Sequence, residues 1–237
     1  MSLIPTIEHL RDFDTALLAN TISTIDQTPA HEFYLDRSIQ SVTPGLGPTV
    51  GTAVICEMDS STPGPDSELE PYWQQLERID RMEEPVVWII KAVGSRPDHE
   101  CILGDGMAKL LDSIGVVGAV TDGCVRDVRG LMTVGFAVYA RGTVAHHCGL
   151  RVRSVDEPVE IGGITIRPGD LIHADDEGVI RIPPSCHEAL PDAAGRMRAF
   201  EHEVHGTWRR RDLSIDQKRR LVLEVGRKCG FGDRLRL

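Results

Sequence analysis

Two short polar stretches carry the residues best suited to chemistry. The first is Gly104-Asp105-Gly106, just ahead of the apolar run MAKLLDSIG. Its glycines let backbone N–H groups turn toward a ligand, and the start of the helix expected to follow favours anions. The second, Asp122-Gly123-Cys124-Val125-Arg126-Asp127, follows the apolar stretch VVGAV. It sets a guanidinium beside a carboxylate. The guanidinium can grip a carboxylate or a developing enolate, and the carboxylate can hold a hard cation such as Mg²⁺. Alone, neither stretch is specific: Gly-Asp-Gly is commonly a turn, and Arg-Asp is commonly a surface ion pair.

These stretches need elements to position them, and the hydrophobic pattern supplies candidates. PVVWIIKAVG (85–94), VVGAVTDG (116–123) and FAVYARG (136–142) are nearly continuous apolar runs bounded by Gly, Pro or charge, as in strands buried on both faces. Functional residues of α/β folds gather in the loops beside such strands. VGTAVICE (50–57) is a further strand, and its preceding turn PGLGPTVG is no dinucleotide fingerprint. Apolar residues at Ile7, Leu10, Phe13, Leu17, Leu18, Ile22 and Ile25 predict one amphipathic helix over residues 6–25. SELEPYWQQLERIDRM predicts another, capped by Asp66 or Ser67. MAKLLDSIG reads as a short helix closed by Gly115, and VRDVRGLMTVG as a loop and short helix ending at Gly135. From Arg151 the chain alternates polar and apolar residues around GG, PGD and DEG turns, which predicts antiparallel hairpins. Helical stretches over 185–208, interrupted at Pro191, and 214–228 close the chain. The expected architecture is α/β with a mixed-sheet core over residues 1–184 and a helical arm over 185–237 of the same domain.

Composition narrows the function. The 237 residues carry 26 Lys and Arg against 36 Asp and Glu, a net charge of −10 that opposes nonspecific binding to nucleic acid or anionic membrane. An anionic substrate therefore needs a local positive site, which makes single arginines worth finding. Aromatics at 5% argue against a base-stacking platform. The six cysteines, Cys56, Cys101, Cys124, Cys148, Cys186 and Cys229, show no zinc-finger spacing and read as reduced thiols. No apolar run approaches the ~20 residues of a membrane span, and the first residues lack a signal core, so a cytoplasmic protein is expected.

Asp105, twenty residues, then Arg126-Asp127 resembles the D-x20-R-D signature of the RraA-like family, which includes 4-hydroxy-4-methyl-2-oxoglutarate/4-carboxy-4-hydroxy-2-oxoadipate aldolases and regulators of ribonuclease E activity. GDGMA, GAVTDGCVRD, GFAVYARG and IGGITIRPGDLIHADDEGVIRIP resemble the family's flanking segments, over roughly residues 15–205. Gly106 and Ala137 depart from its pattern, which bears on substrate identity more than on the metal site. The resemblance implies an α-β-β-α sandwich in trimeric or hexameric rings with sites between subunits. It implies a divalent ion, Mg²⁺ or Mn²⁺, on Asp127, with Asp105 helping through water. It implies Arg126 at the oxygen that becomes negative, and amides of Leu103, Gly104, Asp105, Gly106 and Met107 on the substrate carboxylate. A C-terminal glutamate of a neighbouring subunit, Glu201 or Glu203, would complete the outer shell.

The expected activity is a metal-dependent lyase, an aldolase or decarboxylase, acting on a small 4-hydroxy-2-oxo acid or oxaloacetate through a pyruvate enolate. Both reactions need an electron sink at the 2-oxo oxygen, which a chelated ion plus Arg126 supplies. The competing sink is a Schiff-base lysine, for which Lys109 is the nearest candidate. A different class of function is a non-catalytic binding protein of the ribonuclease E regulator kind, whose chains are shorter. No glycine-rich βαβ unit supports a methyltransferase. His146-His147 reads equally as a pocket pair or a solvated loop, and Asp175-Asp176-Glu177 reads as a hairpin turn before a cation site.

Overall fold

The computed structural model describes residues 2–64, 69–147 and 149–232. Helices α1 (Ile4–Leu10) and α2 (Thr15–Ile25) open the chain, followed by strands β1 (Gln40–Ser41) and β2 (Thr49–Asp59). Helix α3 (Glu70–Ile79), strands β3 (Val86–Ala92) and β4 (Cys101–Leu103), and helix α4 (Asp105–Asp112) come next. Strands β5 (Val116–Thr121) and β6 (Cys124–Val125), helix α5 (Val128–Val134), and strands β7 (Ala137–Ala140) and β8 (Gly142–Thr143) complete the central part. The hairpin region holds β9 (Arg151–Val155), β10 (Val159–Ile161), β11 (Ile164–Ile166), β12 (Leu171–Asp175) and β13 (Gly178–Ile182), and α6 (Leu190–Arg209) and α7 (Ile215–Lys228) form the arm.

The main sheet runs β1-β7-β5-β3-β2-β12-β13, with β9 also paired to β2. Its centre, β2, β3, β5 and β7, is parallel and β12–β13 antiparallel, so the sheet is mixed. Burial on both faces explains why these central strands are continuous apolar runs. Val54, Trp88, Ile90 and Ala119 pack under α3, α4 and α5 on one face. Ile55, Val87, Ile89 and Val120 pack with the β10–β11 hairpin on the other. A third core joins α1, α2, α6 and α7 to Leu171, Ile180 and Ile182. These layers make the α-β-β-α sandwich with mixed sheets and a helical C-terminal arm that the sequence predicts.

Two expectations change. The helix over 6–25 is two helices, because Asp14 turns extended and its carboxylate caps α2 by accepting from Leu17 N at 2.8 Å. The apolar periodicity continues through the break, with Leu10, Phe13 and Leu17 all buried, so spacing alone hides it. Pro191 does not interrupt α6 but sits in its first turn, where a missing N–H costs no intrahelical bond. The cap expected of Asp66 or Ser67 lies outside the described residues; α3 begins at Glu70 with Pro71 in its first turn. As expected, α5 stops at Gly135, whose φ of +81° is left-handed. Cys56, Cys101, Cys124, Cys186 and Cys229 are free thiols. Among the described residues no helix is long and apolar enough to cross a membrane.

Candidate active site

A second, three-stranded sheet, β4-β6-β8, is too short to show a periodicity, yet it joins the two polar stretches. β4 and β6 run parallel, with Cys101 opposite Cys124 and Leu103 opposite Val125. Arg126 N donates to Leu103 O at 3.0 Å, and Cys124 N donates to Glu100 O at 2.7 Å. α4 therefore starts beside the point where α5 starts. Asp105 opens the first helix, and Asp127 is the residue just before the second.

Close packing at two glycines makes this juxtaposition possible. A Cβ on Gly104 would lie 2.8 Å from Asp127 Oδ2 and 3.4 Å from Arg126 Nε, so Arg126 and Asp127 lie directly over that backbone. A Cβ on Gly130 would lie 2.5 Å from Asp105 Cβ and 2.6 Å from its Oδ2. Any side chain at either position would push the carboxylates aside. Gly130 escapes the sequence reading; its signal is a poor helix former in the first turn of the short helix VRGLMTV.

Asp127 has φ 57° and ψ 37°, a left-handed conformation rare outside glycine. Its side chain makes no capping bond to α5, although it stands where a capping carboxylate would. Instead Oδ2 lies 3.1 Å from Arg126 Nε, with both side chains about two-fifths exposed. Asp105 Oδ2 pairs with Lys109 Nζ at 2.7 Å. The bond from Lys109 lowers the Asp105 carboxyl below its ordinary range against the opposing effect of desolvation, with lesser help from the Lys109 charge, the Gly106 N–H and the Arg126 charge. The N–H groups of the first turn of α4 have no partners within the helix, as at any helix start. Burial raises the Cys101 thiol, with the Arg126 charge opposing, so it stays protonated and is no nucleophile.

Two hard carboxylates, one guanidinium and a helix start thus share one half-exposed patch. Among the described residues no group of three or more His, Cys, Asp or Glu side chains could cage a metal. The donors fit a hydrated Mg²⁺ or Mn²⁺, which takes one or two protein carboxylates and keeps several waters.

Other sequence candidates lie elsewhere. Glu201 hydrogen-bonds Asn20 at 3.3 Å and Glu203 pairs with Lys228 at 3.4 Å, both in the helical layer, so neither joins Asp127 within one chain. A glutamate reaching in from a neighbouring subunit is a matter for a second chain. His146 and His147 are exposed, their rings stacked with centroids 5.8 Å apart. Asp175 and Asp176 serve the turn, accepting from Thr15 N and Glu177 N and from Gly45 N respectively. Asp122 accepts from Ala92 N and pairs with Lys91 Nζ at 2.5 Å, tying β3 to the loop after β5.

A family model described as RraA-like, Aldolase/RraA, matches residues 18–181. A protein of Halalkalibacterium halodurans named "Putative 4-hydroxy-4-methyl-2-oxoglutarate aldolase" is 34% identical over 99 residues, 41% of this chain and 47% of that protein. Protein DlpA of Legionella pneumophila is 40% identical over 91 residues, 38% of this chain and 15% of that protein. The matches thus span under half of either curated relative. Among solved structures, an uncharacterized protein of Pseudomonas syringae superposes with a TM-score of 0.67 at 22% identity, covering 91% of this chain and 96% of that one. Streptomyces coelicolor RraAS2, described as an unusual member of the RNase ES inhibitor RraA protein family, gives 0.67 at 23% identity over 85% and 96%. At these identities the two structures speak for the fold alone.

Proposed function

This chain belongs to the RraA-like family, and we propose that it is a divalent-metal-dependent lyase cleaving a carbon–carbon bond of a small 4-hydroxy-2-oxo acid or oxaloacetate. The supporting observation is the seating of Arg126 and Asp127 over Gly104, with the Asp127 carboxylate left unused by its own helix. The name of the Halalkalibacterium relative points to the same chemistry.

In this reading the N–H groups from Gly104 to Met107 bind the substrate carboxylate, aided by the dipole of α4. Arg126 faces the 2-oxo oxygen and stabilises its charge as the bond breaks. Asp127 would hold Mg²⁺ or Mn²⁺, supplying a second positive charge at that oxygen. Asp105, kept ionised by Lys109, is the acceptor for the proton leaving the 4-hydroxyl, through solvent. Lys109 is a poor Schiff-base candidate: it is exposed and paired, without the apolar burial that makes a lysine nucleophilic. Trimer or hexamer formation, with Glu201 or Glu203 reaching a neighbour's patch, is part of the same proposal and is checked by light scattering of the purified chain.

The test is pyruvate release from oxaloacetate and from 4-hydroxy-4-methyl-2-oxoglutarate, with Mg²⁺ or Mn²⁺ and with chelator. The expected result is turnover that stops on chelation and returns with metal. Turnover indifferent to chelator overturns the metal. No turnover on either substrate favours a non-catalytic regulatory protein, like the RNase inhibitors of the family.

A further inference from the structure

The three-stranded sheet that carries the candidate site has to be fastened to the main sheet, and one buried acid helps to do it. Glu100 immediately precedes β4 and is fully buried, yet among the described residues its carboxylate meets no cation. Oε2 accepts from Ser60 N at 2.7 Å and from Ser60 Oγ at 2.9 Å, and Oε1 accepts from the Ser61 hydroxyl. Ser60 is the residue after β2, the longest strand of the main sheet. Its Oγ also accepts from Cys101 N at 3.0 Å, so one hydroxyl bridges the acid and the first residue of β4. The turn after β3 closes over the same carboxylate: a Cβ on Gly94 would lie 1.5 Å from Glu100 Oε1.

The side chain thus ties the carboxyl ends of β2 and β3 to the start of β4, and the backbone of the same residue begins the pairing with β6. Glu100 O accepts from Cys124 N at 2.7 Å, ahead of the bond from Arg126 N to Leu103 O at 3.0 Å. Gly104, close beyond, is the floor on which Arg126 and Asp127 lie. Where β4 stands along β6 therefore decides how the first turn of α4 meets the guanidinium. Carrying a carboxylate into a protein interior without a cation is costly, and stability alone favours an apolar residue there. What the acid adds is direction, because it gathers donors from two consecutive residues into charge-assisted bonds.

We infer that Glu100 is a positioning residue for the lyase site: held by Ser60 and Ser61 beneath Gly94, it sets β4 against β6 and so seats Gly104 under Arg126 and Asp127. The inference rests on the lyase reading above, but the seat itself can be measured without turnover.

Paired variants separate seating from simple stability. Glu100→Ala removes the acceptors and should lower kcat for pyruvate release by about 10²-fold, the effect of a misplacement of about 1 Å. Glu100→Gln keeps a carbonyl oxygen for Ser60, and the Ser61 hydroxyl can turn to accept from the amide, so kcat should stay within about fivefold of the unsubstituted enzyme. Ser60→Ala and Tyr139→Phe each delete one buried hydroxyl, and Tyr139 bonds Thr49 at the opposite end of β2 from Ser60. Their melting temperatures should fall alike, but only Ser60→Ala should slow turnover, by about tenfold. Amide hydrogen exchange over residues 123–127, read by mass spectrometry, reports on the seat independently of activity. It should quicken in Glu100→Ala and Ser60→Ala and stay unchanged in Tyr139→Phe. An unsubstituted enzyme that releases no pyruvate sinks the lyase reading alone, and the exchange still judges the seat. Unchanged exchange in Ser60→Ala overturns the inference, whether or not Glu100→Ala folds. So does a Glu100→Gln variant as slow as Glu100→Ala, or a Tyr139→Phe variant as slow as Ser60→Ala.

Discussion

Asp127 and Asp156 share an unusual backbone and differ in everything else. Their φ angles are 57° and 59°, the two left-handed values among the described non-glycine residues. Asp156 closes the bend after β9: its N–H donates to Ile55 O at 2.8 Å, and its carboxylate accepts from Arg78 and from Gln75 Nε2. Among the described residues the carboxylate of Asp127 has an ion pair with its neighbour Arg126 alone, and it stands about two-fifths open to solvent. Left-handed strain alone therefore does not mark a functional residue. What separates the two is whether the structure has already engaged the side chain that the strain positions.

The sharpest way to break this comparison is to remove the partners. Arg126→Ala should lower pyruvate release by about 10²–10³-fold, as loss of an oxyanion donor does, with the melting temperature nearly unchanged. Arg78→Ala should leave turnover intact and cost up to about 1 kcal/mol of stability, measured by urea unfolding. Equal effects of the two substitutions on turnover would erase the distinction. Gly130→Ala should come next, since its methyl drives into Asp105; about 1–3 kcal/mol of strain is expected, with activity falling along with stability.

A third aspartate extends the comparison to pH. Asp59 is almost fully buried, and burial raises its carboxyl. The Thr62 and Ser61 N–H groups and Arg153 outweigh that, bringing it from 3.8 to about 2. Because the folded value lies below the unfolded one, its stabilisation is complete above about pH 4 and is lost as pH falls through about 2, amounting to roughly 2 kcal/mol. Unfolding measured between pH 5 and pH 2 should show this loss, and Asp59→Asn should flatten the curve. Glycine exchange is the smallest test. Asp127→Gly should relieve its backbone and add up to about 1 kcal/mol of stability while ending any metal response. Asp156→Gly gains the same relief but loses its Arg78 and Gln75 contacts, so its net change should be smaller or negative.

Much of this was legible in the residues. β3, β5 and β7 are visible because burial on both faces leaves no polar alternation, and the hairpins from Arg151 onward are punctuated by glycines in turns. The spacing of Asp105 and Arg126-Asp127 pointed to a single patch. The device that joins them escaped, because strands of two or three residues carry no period and their pairing is decided by tertiary contacts. The handedness of Asp127 and the need for glycine at 130 are properties of the packed chain.

The strand order also has a consequence for how the chain comes to be folded. β2, the longest strand, takes one edge partner from β3 soon after it and fills the other edge late in the chain, from β9 along its second half and from β12 along its first, with Thr52 opposite Leu171. During synthesis the first half of the sheet must wait, one edge bare, until most of the chain has left the ribosome. Distant pairings of this kind slow folding and leave a strand edge open to wrong partners. Refolding should therefore be slow and sensitive to protein concentration, and a chain cut before β12 should aggregate.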